Sequence, residues 1–351
     1  MSDEESLALA RRHAGYFLHL AGEAGARFSG PEQRLGLDRM EAEHDNLRAA
    51  LIWLLNHEAE MALTLAGRLW PFWELRGHIA EGRRWLAQSL AASAARTASR
   101  ARVLHGAGVL ADAQDDRREA LARTEESVTL FREIGQRETE GGRGVAYPLA
   151  FLGYLHRASD PDRARALLEE SLAVCRAEGD QPGLVYALCF LGRLALEGNL
   201  FAQARAYVEE SLAISQSLRY QQGIAESLNQ LGVMALFQED HAAAHPLLEE
   251  CLGIYREIGN QKGIAYVLRC LGEIAFALEQ NDRARLLLEE CLALLRLIGN
   301  AWNLRGLLHR LEAVAERQGD AAATQAFGAE ARALPELYRP GGSEPHERRS
   351  S

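Results

Sequence analysis

The sequence predicts an all-α solenoid built from helical hairpins, each about 40 residues long. The group Glu-Glu-Ser/Cys-Leu recurs every 40 residues, beginning at Glu169, Glu209, Glu249 and Glu289. A Leu-Gly pair keeps nearly the same spacing, at Leu152-Gly153, Leu191-Gly192, Leu231-Gly232 and Leu271-Gly272. A fixed period of this length indicates stacked units, each of which buries its apolar face against its neighbours.

The segment from Ala225 to Asn260 shows why one unit is a helical hairpin. Its first half places apolar residues on one helical face, at Leu228, Leu231, Ala235 and Leu236. Its second half does the same with Ala244, Leu247, Leu248, Leu252, Ile254 and Tyr255. Between the halves, residues 238–240 form a turn. At equivalent turns Asp160, Asp282 and Asp320 are expected to cap helices, and Gly259 and Gly299 are expected to end them.

Small residues recur in a fixed register and predict close contact between the two helices. Twelve residues after most of the repeated glycines comes an alanine, and seven further on comes a serine or a cysteine. Glycine inside a helix costs about 1 kcal/mol relative to alanine, so a recurrent glycine indicates a packing requirement. This pattern resembles the tetratricopeptide repeat. The resemblance implies a right-handed superhelical solenoid of antiparallel helical hairpins, whose first helices line the concave side.

The standard tetratricopeptide unit has 34 residues and usually ends with a proline. In this sequence Arg176, Gln216, Arg256 and Arg296 stand in the place of that proline, so the second helix is expected to continue past it. The predicted organisation is N-terminal capping helices over 1–58, about seven helical pairs over 59–338, and a disordered tail over 339–351.

Two N-terminal stretches support a wider resemblance. The stretch from Leu37 to Leu51 includes Glu-His-Asp-Asn-Leu-Arg-Ala-Ala, and Leu69 to His78 is followed by Glu81-Gly-Arg-Arg-Trp-Leu. They resemble the start of the C-terminal sensor region in bacterial LuxR/MalT-like transcriptional regulators that carry a STAND-class ATPase. Lys262 is the only lysine and does not lie in a phosphate-binding loop, so the family's ATP hydrolysis is not expected of this sequence.

Composition narrows the classes of function. The net charge of −10 argues against a nucleic-acid-binding footprint. Apolar runs are too short to cross a bilayer, and no secretory signal is recognisable, so a cytoplasmic protein without membrane contact is predicted. The five cysteines lack metal-ligand spacing, and no disulfide framework is expected. No cofactor, metal site or catalytic residue is predicted.

Three further groups of residues are interpreted as structural. His44 lies three residues after Glu41, but two ligands do not make a metal site. Trp53, Trp70, Trp73 and Trp85 are interpreted mainly as core residues of the first helices. The Glu-Glu pairs are expected on the solvated outer face, partly paired with arginines four to six residues earlier, among them Arg205, Arg283 and Arg285.

The candidate binding residues are the positions of the first helices that the packing register leaves free. They are Tyr147, Tyr154, Tyr186, Arg193, Glu226, Asn229, Tyr266, Arg269 and Glu273. Tyrosine and arginine are enriched at binding hot spots because each combines a large contact area with a polar group. In an alternative interpretation, the tyrosines only fill gaps between neighbouring first helices.

The predicted function is a non-catalytic interaction or sensor module that binds a protein, peptide or small ligand in its concave groove. Its expected role is the signal-sensing arm of a bacterial transcriptional regulator. A stand-alone peptide-pheromone receptor or an assembly scaffold is the alternative. Self-association is compatible with the sequence, and direct binding of nucleic acid is not expected.

Overall fold

The computed structural model describes residues 3–135 and 144–334, which form seventeen α-helices and no strand. The chain begins with α1 (Asp3–Ala26), α2 (Gln33–Ala42) and α3 (His44–His57). Seven helical pairs follow: α4 (Ala59–Arg76) and α5 (Ile79–Ala92), α6 (Ala98–Ala113) and α7 (Arg117–Ile134), α8 (Ala146–His156) and α9 (Pro161–Glu178), α10 (Gln181–Glu197) and α11 (Phe201–Leu218), α12 (Gln221–Phe237) and α13 (His241–Ile258), α14 (Gln261–Ala277) and α15 (Asn281–Ile298), α16 (Ala301–Gln318) and α17 (Ala321–Ala333).

The prediction of an all-α solenoid of hairpins is confirmed. Even-numbered helices from α4 onward are here called first helices, and odd-numbered helices from α5 onward are called second helices. Each first helix packs along the second helix of its own pair, and most second helices also contact the next first helix. The predicted tail over 339–351 lies outside the described residues. Within the described ranges, every helix is too short or too polar to cross a membrane.

The ends of the hairpins follow the local signals in the sequence, with one exception. Gly179, Gly259 and Gly299 end second helices at φ angles of 70°, 70° and 79°, in the left-handed region that glycine adopts without strain. Asp160 and Asp320 accept hydrogen bonds from the backbone N–H groups three residues later, as expected of N-caps. The expectation for Asp282 was wrong. Since α15 begins at Asn281, Asp282 lies inside its first turn and accepts a hydrogen bond from Gln318 Nε2 at 2.7 Å.

The packing role of the repeated glycines is confirmed by what a larger side chain would meet. A Cβ atom added at Gly232 would lie 2.8 Å from Leu248 Cδ2, and one added at Gly272 would lie 2.5 Å from Leu288 Cδ2. Real Cβ atoms essentially never come this close to another atom. The first and second helices of a pair therefore approach closely because glycine has no side chain at the contact.

The small residue of the second helix also makes a hydrogen bond, which the sequence pattern alone did not indicate. Ser171 Oγ donates to the carbonyl oxygen of Ala146 at 2.7 Å. Cys251 Sγ and Cys291 Sγ donate to the equivalent carbonyl oxygens of Ala225 and Ala265, each at 3.1 Å. Serine and cysteine thus fill the same place because each is small and carries one hydrogen-bond donor.

The outer face carries ion pairs that join consecutive repeats. Where the repeat family usually has proline, the second helices continue two residues further, and the arginine there reaches the next second helix. Arg256 Nη2 lies 2.7 Å from Glu290 Oε1, and Arg176 Nη2 lies 3.3 Å from Glu210 Oε1. Arg296 forms the equivalent pair with Glu330 at 2.5 Å.

The expectation that arginines of the outer face pair within their own helix is correct only in part. Arg205 and Arg285 contact the glutamates four residues later, Glu209 and Glu289. Arg283 instead lies 2.7 Å from Glu249, on the preceding second helix. The charges of the outer face therefore connect repeats as well as turns of one helix, which a single-helix view of the sequence could not show.

The N-terminal helices contact the fifth and sixth pairs, so the chain closes one turn of the superhelix. The backbone N–H of Gln222 donates to Gln33 Oε1 at 3.0 Å, and Asn260 Nδ2 donates to Gln222 Oε1 at 2.9 Å. On the other side, Gln114 Nε2 donates to the carbonyl oxygen of Ile298, and Asn300 Nδ2 donates to that of Ala113. These contacts bring the two ends of the turn together across the concave groove, and the space along the inner face of the first helices is here called the channel.

Candidate functional site

All nine predicted binding residues lie on first helices, and each is partly buried rather than fully buried or fully exposed. By helix they are Tyr147 and Tyr154 on α8, Tyr186 and Arg193 on α10, Glu226 and Asn229 on α12, and Tyr266, Arg269 and Glu273 on α14. Seven of them belong to an aromatic row, an arginine zone or an acidic zone along the channel, and Asn229 and Glu273 lie outside these three groups.

The aromatic row connects α8 and α10. The rings of Tyr147 and Tyr186 stack with their centroids 5.4 Å apart, and the rings of Tyr154 and Phe190 stack at 4.8 Å. Tyr186 also meets Phe190 edge to face at 4.6 Å. The tyrosines therefore do fill gaps between neighbouring first helices, as the alternative interpretation held. Part of each ring nevertheless remains exposed, so the row also presents an aromatic surface to the channel.

The arginine zone comprises Arg193, Tyr266 and Arg269. The guanidinium carbon of Arg269 lies 5.4 Å from the centre of the Tyr266 ring, and that of Arg193 lies 6.0 Å from it. These distances suit cation–π attraction. Burial alone would lower the pKa of Arg193, but the neighbouring Tyr266, Tyr154 and Glu197 raise it overall. Arg193 lies on α10 and Tyr266 on α14, so this contact joins two first helices that are not neighbours in the chain.

The acidic zone comprises Glu74, Glu226 and Lys262, with Asp112 beside it. Lys262 Nζ lies 3.8 Å from Glu74 Oε1, although the two residues come from α14 and α4. Gln222 Nε2 donates to Glu226 Oε1 at 2.7 Å. Glu74, Asp112 and Glu226 all attract the Lys262 ammonium group. Asp112 is also paired with Arg117, whose Nη1 lies 3.4 Å from Asp112 Oδ1.

The pKa values of the acidic zone are shifted by burial and by neighbouring charges, although its side chains are partly exposed. Burial, followed by the nearby carboxylates, raises the pKa of Glu226 and of Glu74 above the ordinary value of 4.5. Burial would lower the pKa of Lys262, but the attraction of Glu74 and Asp112 outweighs it and raises that pKa. Burial and neighbouring charges therefore act together on the three side chains.

One polar atom of the inner face has no partner within the protein. Asn229 Oδ1 is buried and makes no hydrogen bond. A buried acceptor left without a donor costs free energy, so this atom is an unsatisfied polar group of the inner face. Glu273, near the C-terminal end of α14, accepts a hydrogen bond from Arg310 Nε at 2.9 Å. This candidate residue is therefore already paired inside the protein.

Sequence reasoning missed Glu74, Asp112 and Lys262. Glu74 and Asp112 lie on α4 and α6, where the repeat pattern is weak. Their positions could not be aligned with those of the clear repeats, so they were not predicted to lie on the inner face. Lys262 carried a usable signal as the only lysine in the chain, but it precedes the positions that were compared between repeats. The meeting of α4 with α14 depends on the closed turn of the superhelix, which a 40-residue period does not reveal.

Comparison with protein families and curated proteins gives two findings. The tetratricopeptide repeat family matches residues 152–217, 198–257 and 223–297. An HTH-type transcriptional regulator of Mycobacterium tuberculosis is 34% identical over 35% of this chain, and the match covers 15% of the regulator's length. A regulator of Mycobacterium bovis matches with the same figures.

Solved structures share the fold at low sequence identity. The Rap protein complexed with Competence and Sporulation Factor has a TM-score of 0.60 and 11% identity, over 93% of this chain and 98% of its own. NprR in complex with its cognate peptide NprX has a TM-score of 0.57 and 15% identity, over 91% and 89% of the two chains. A STAND protein with a tetratricopeptide repeat sensor from Pyrococcus horikoshii has a TM-score of 0.51 and 12% identity, over 87% and 52%.

The repeats matched by the family and the shared architecture agree with the packing described above. The protein therefore contains tetratricopeptide repeats and folds as an all-α TPR-like superhelix, an architecture that supports a protein-interaction module.

Proposed function

We propose that the protein binds an extended peptide segment in its channel and acts as the signal-sensing arm of a bacterial transcriptional regulator. The observation that carries the proposal is the acidic zone. Glu74, Glu226 and Lys262 face one another from α4, α12 and α14, remain partly exposed, and have pKa values displaced by burial and by one another. Their partly exposed arrangement suits a charged ligand.

The chemistry of the channel favours a peptide over a compact apolar ligand. The acidic zone suits a lysine, an arginine or an amino terminus, since its carboxylates outnumber its ammonium group. The arginine zone suits a carboxylate, because arginine binds planar anions through two parallel hydrogen bonds. The aromatic row suits the faces of apolar or aromatic side chains. An extended chain can engage these features in succession, whereas a small ligand engages only one of them.

The comparisons give this proposal further support. Of two proteins that share the fold over most of their length, NprR is described in complex with its cognate peptide, and Rap in complex with Competence and Sporulation Factor. Tetratricopeptide repeats typically form non-catalytic interaction scaffolds, which agrees with the proposed binding role. The regulator role draws on the Mycobacterium tuberculosis relative and on the STAND protein with a repeat sensor.

A stand-alone peptide receptor is the second candidate function. It is favoured by the Rap and NprR superpositions, which cover at least 89% of both chains, whereas the STAND superposition covers 52% of that protein. Gene neighbourhood separates the two roles. An adjacent reading frame for an ATPase or a helix-turn-helix protein supports the sensor arm, and a short secreted-peptide gene supports the receptor.

The binding proposal is tested with a displayed library of random twelve-residue peptides. We expect enriched peptides to combine a basic end with an acidic or aromatic residue. In fluorescence anisotropy, Arg193→Gln and Lys262→Gln should each weaken binding about tenfold or more, because a hydrogen bond to a charged group contributes ~1.5–3 kcal/mol. Glu210→Gln and Glu290→Gln on the outer face are the matched controls. Failure to enrich any peptide, or loss of binding in the controls alone, would contradict the proposal.

A further inference from the structure

Three side chains from separate segments of the N-terminal region converge on one point. Glu41 is near the end of α2, His44 is the first residue of α3, and His78 lies in the turn between α4 and α5. One potential ligand atom from each residue lies within 4.8 Å of those of the other two. His78 Nε2 is 3.1 Å from Glu41 Oε1. The sequence offered only the first two ligands, because the third follows His44 by 34 residues and reaches it through the fold.

The two imidazole rings are held by a rigid support. The ring centroids of His44 and His78 are 4.5 Å apart, and both rings lie against Phe72, at 5.1 Å and 5.4 Å. Phe72 is fully buried in the core. Because Phe72 cannot move without disturbing the core, the positions of both rings are largely fixed before any ligand binds.

His44 has no structural partner that explains its position. Its side chain is about nine-tenths buried, and its Nε2 atom makes no hydrogen bond. The nearest carboxylate, Glu81, lies 3.6 Å from that atom and is already engaged by Arg48 at 2.5 Å and by Trp85 Nε1 at 3.0 Å. A buried polar group without a hydrogen bond is costly. Its retention beside a second histidine and a carboxylate points to a ligand.

We propose that Glu41, His44 and His78 form a binding site for a divalent ion of the zinc class. Two imidazole nitrogens and one carboxylate oxygen form a donor set that zinc accepts, whereas magnesium and calcium require mainly oxygen ligands. Glu41 is 42% exposed, so water can reach the site and complete a tetrahedral arrangement. Other histidine–carboxylate pairs, such as His19 with Glu23 at 3.3 Å, supply only two ligands.

The position of the site assigns it a structural role. An ion held there links α2, α3 and the turn before α5. Asp38, three residues before Glu41, forms an ion pair at 2.5 Å with Arg76, two residues before His78. Arg76 in turn packs against Gly259, at the contact that closes the superhelical turn. Metal binding is therefore expected to stabilise the N-terminal helices and to strengthen the closure of the channel.

The test is isothermal titration calorimetry with zinc chloride on the whole chain. We expect one site in the wild-type protein that is at least about tenfold weaker in Glu41→Gln and in His78→Gln, since even loss of a residue supporting a ligand costs 10- to 100-fold. The matched control, His19→Gln, should bind zinc like wild type. Magnesium chloride should produce no binding heat.

Thermal denaturation supplies a second readout. Zinc should raise the Tm of wild type and of His19→Gln, and it should leave the Tm of His78→Gln unchanged. Glu41 is exposed, so Glu41→Gln keeps the test informative if the His78 variant does not fold. Zinc binding that is absent in wild type, or that is unaffected by either ligand variant, would overturn the proposal.

Discussion

The inner and outer faces of the superhelix use charge in opposite ways. On the outer face, the same pair recurs between repeats, as in Arg176 with Glu210 and Arg256 with Glu290, and each partner is about half exposed. On the inner face, the residues vary more from repeat to repeat: Tyr147, Tyr186, Glu226 and Tyr266 share one position, and the charges shift one another's pKa values. A repeated pair connects identical units in the same way each time. A varied surface is what recognition of one particular ligand requires.

The largest expected effect is on the free energy of unfolding, at the contact between the first and second helices of a pair. Gly232→Leu should lower the free energy of unfolding by ~1–3 kcal/mol, because the new side chain must displace Leu248 from a filled space. Gly253→Leu is the matched control, since Gly253 is exposed in the second helix of the same pair and has no atom near its Cβ position. Chemical denaturation measures both. Equal stability of the two variants would show that the glycine register does not govern helix contact.

The next effect should appear on the inner face as a dependence on pH. Burial raises the pKa of Glu226, so the folded protein holds this proton more tightly than the unfolded chain does. Ionisation of Glu226 therefore costs stability as the pH rises above 4.5, and the cost is absent below that value. Glu226→Gln should raise the Tm at pH 7 and leave it unchanged at pH 4. A lower Tm at pH 7 would mean that the charged carboxylate stabilises the fold.

A smaller effect is expected on the outer face. In a double-mutant cycle, Arg256→Gln and Glu290→Gln should show a coupling of ~0.2–1 kcal/mol that declines with added salt, as exposed ion pairs do. Ligand binding should be unchanged in both variants. A coupling energy well above this range, or one that salt does not affect, would show that Arg256 and Glu290 do not behave as an exposed ion pair.

The smallest effect is expected at the one repeat whose arginine is replaced. Gln216 stands where the neighbouring repeats have arginine, so Glu250 lacks the equivalent charged partner from the preceding repeat. Glu250→Gln should change the free energy of unfolding by no more than a few tenths of a kcal/mol, as is usual for exposed positions. A loss as large as that of Glu290→Gln would show that the ladder of pairs does not explain the outer face.

Local rules of the repeat were sufficient to predict the fold. The glycine register, the αL glycines and the Asp160 and Asp320 caps each depend on residues within one hairpin, and the 40-residue period displays the Leu-Gly pair four times. The expectation for Asp282 was wrong because α15 has its N-cap at Gln280, a shift of two residues that local sequence signals do not resolve.

The candidate site could be predicted only on the helices that repeat clearly. The nine inner-face residues of α8 to α14 were found from their place beside the Leu-Gly pair. Glu74 and Lys262 were not, because their contact joins residues 188 positions apart through the closure of the superhelix. The third ligand of the proposed metal site, His78, was missed for the same reason: its proximity to His44 is tertiary.

Photo-crosslinking tests the central claim, that the inner face holds the ligand. Benzoylphenylalanine is placed at Tyr154 or Tyr266 in the channel, and at Glu210 or Glu290 on the outer face. Each variant is irradiated with an enriched peptide, and adducts are identified by mass spectrometry. We predict adducts from the two channel positions and none from the two outer positions. Adducts from Glu210 or Glu290, with none from the channel, would contradict the account.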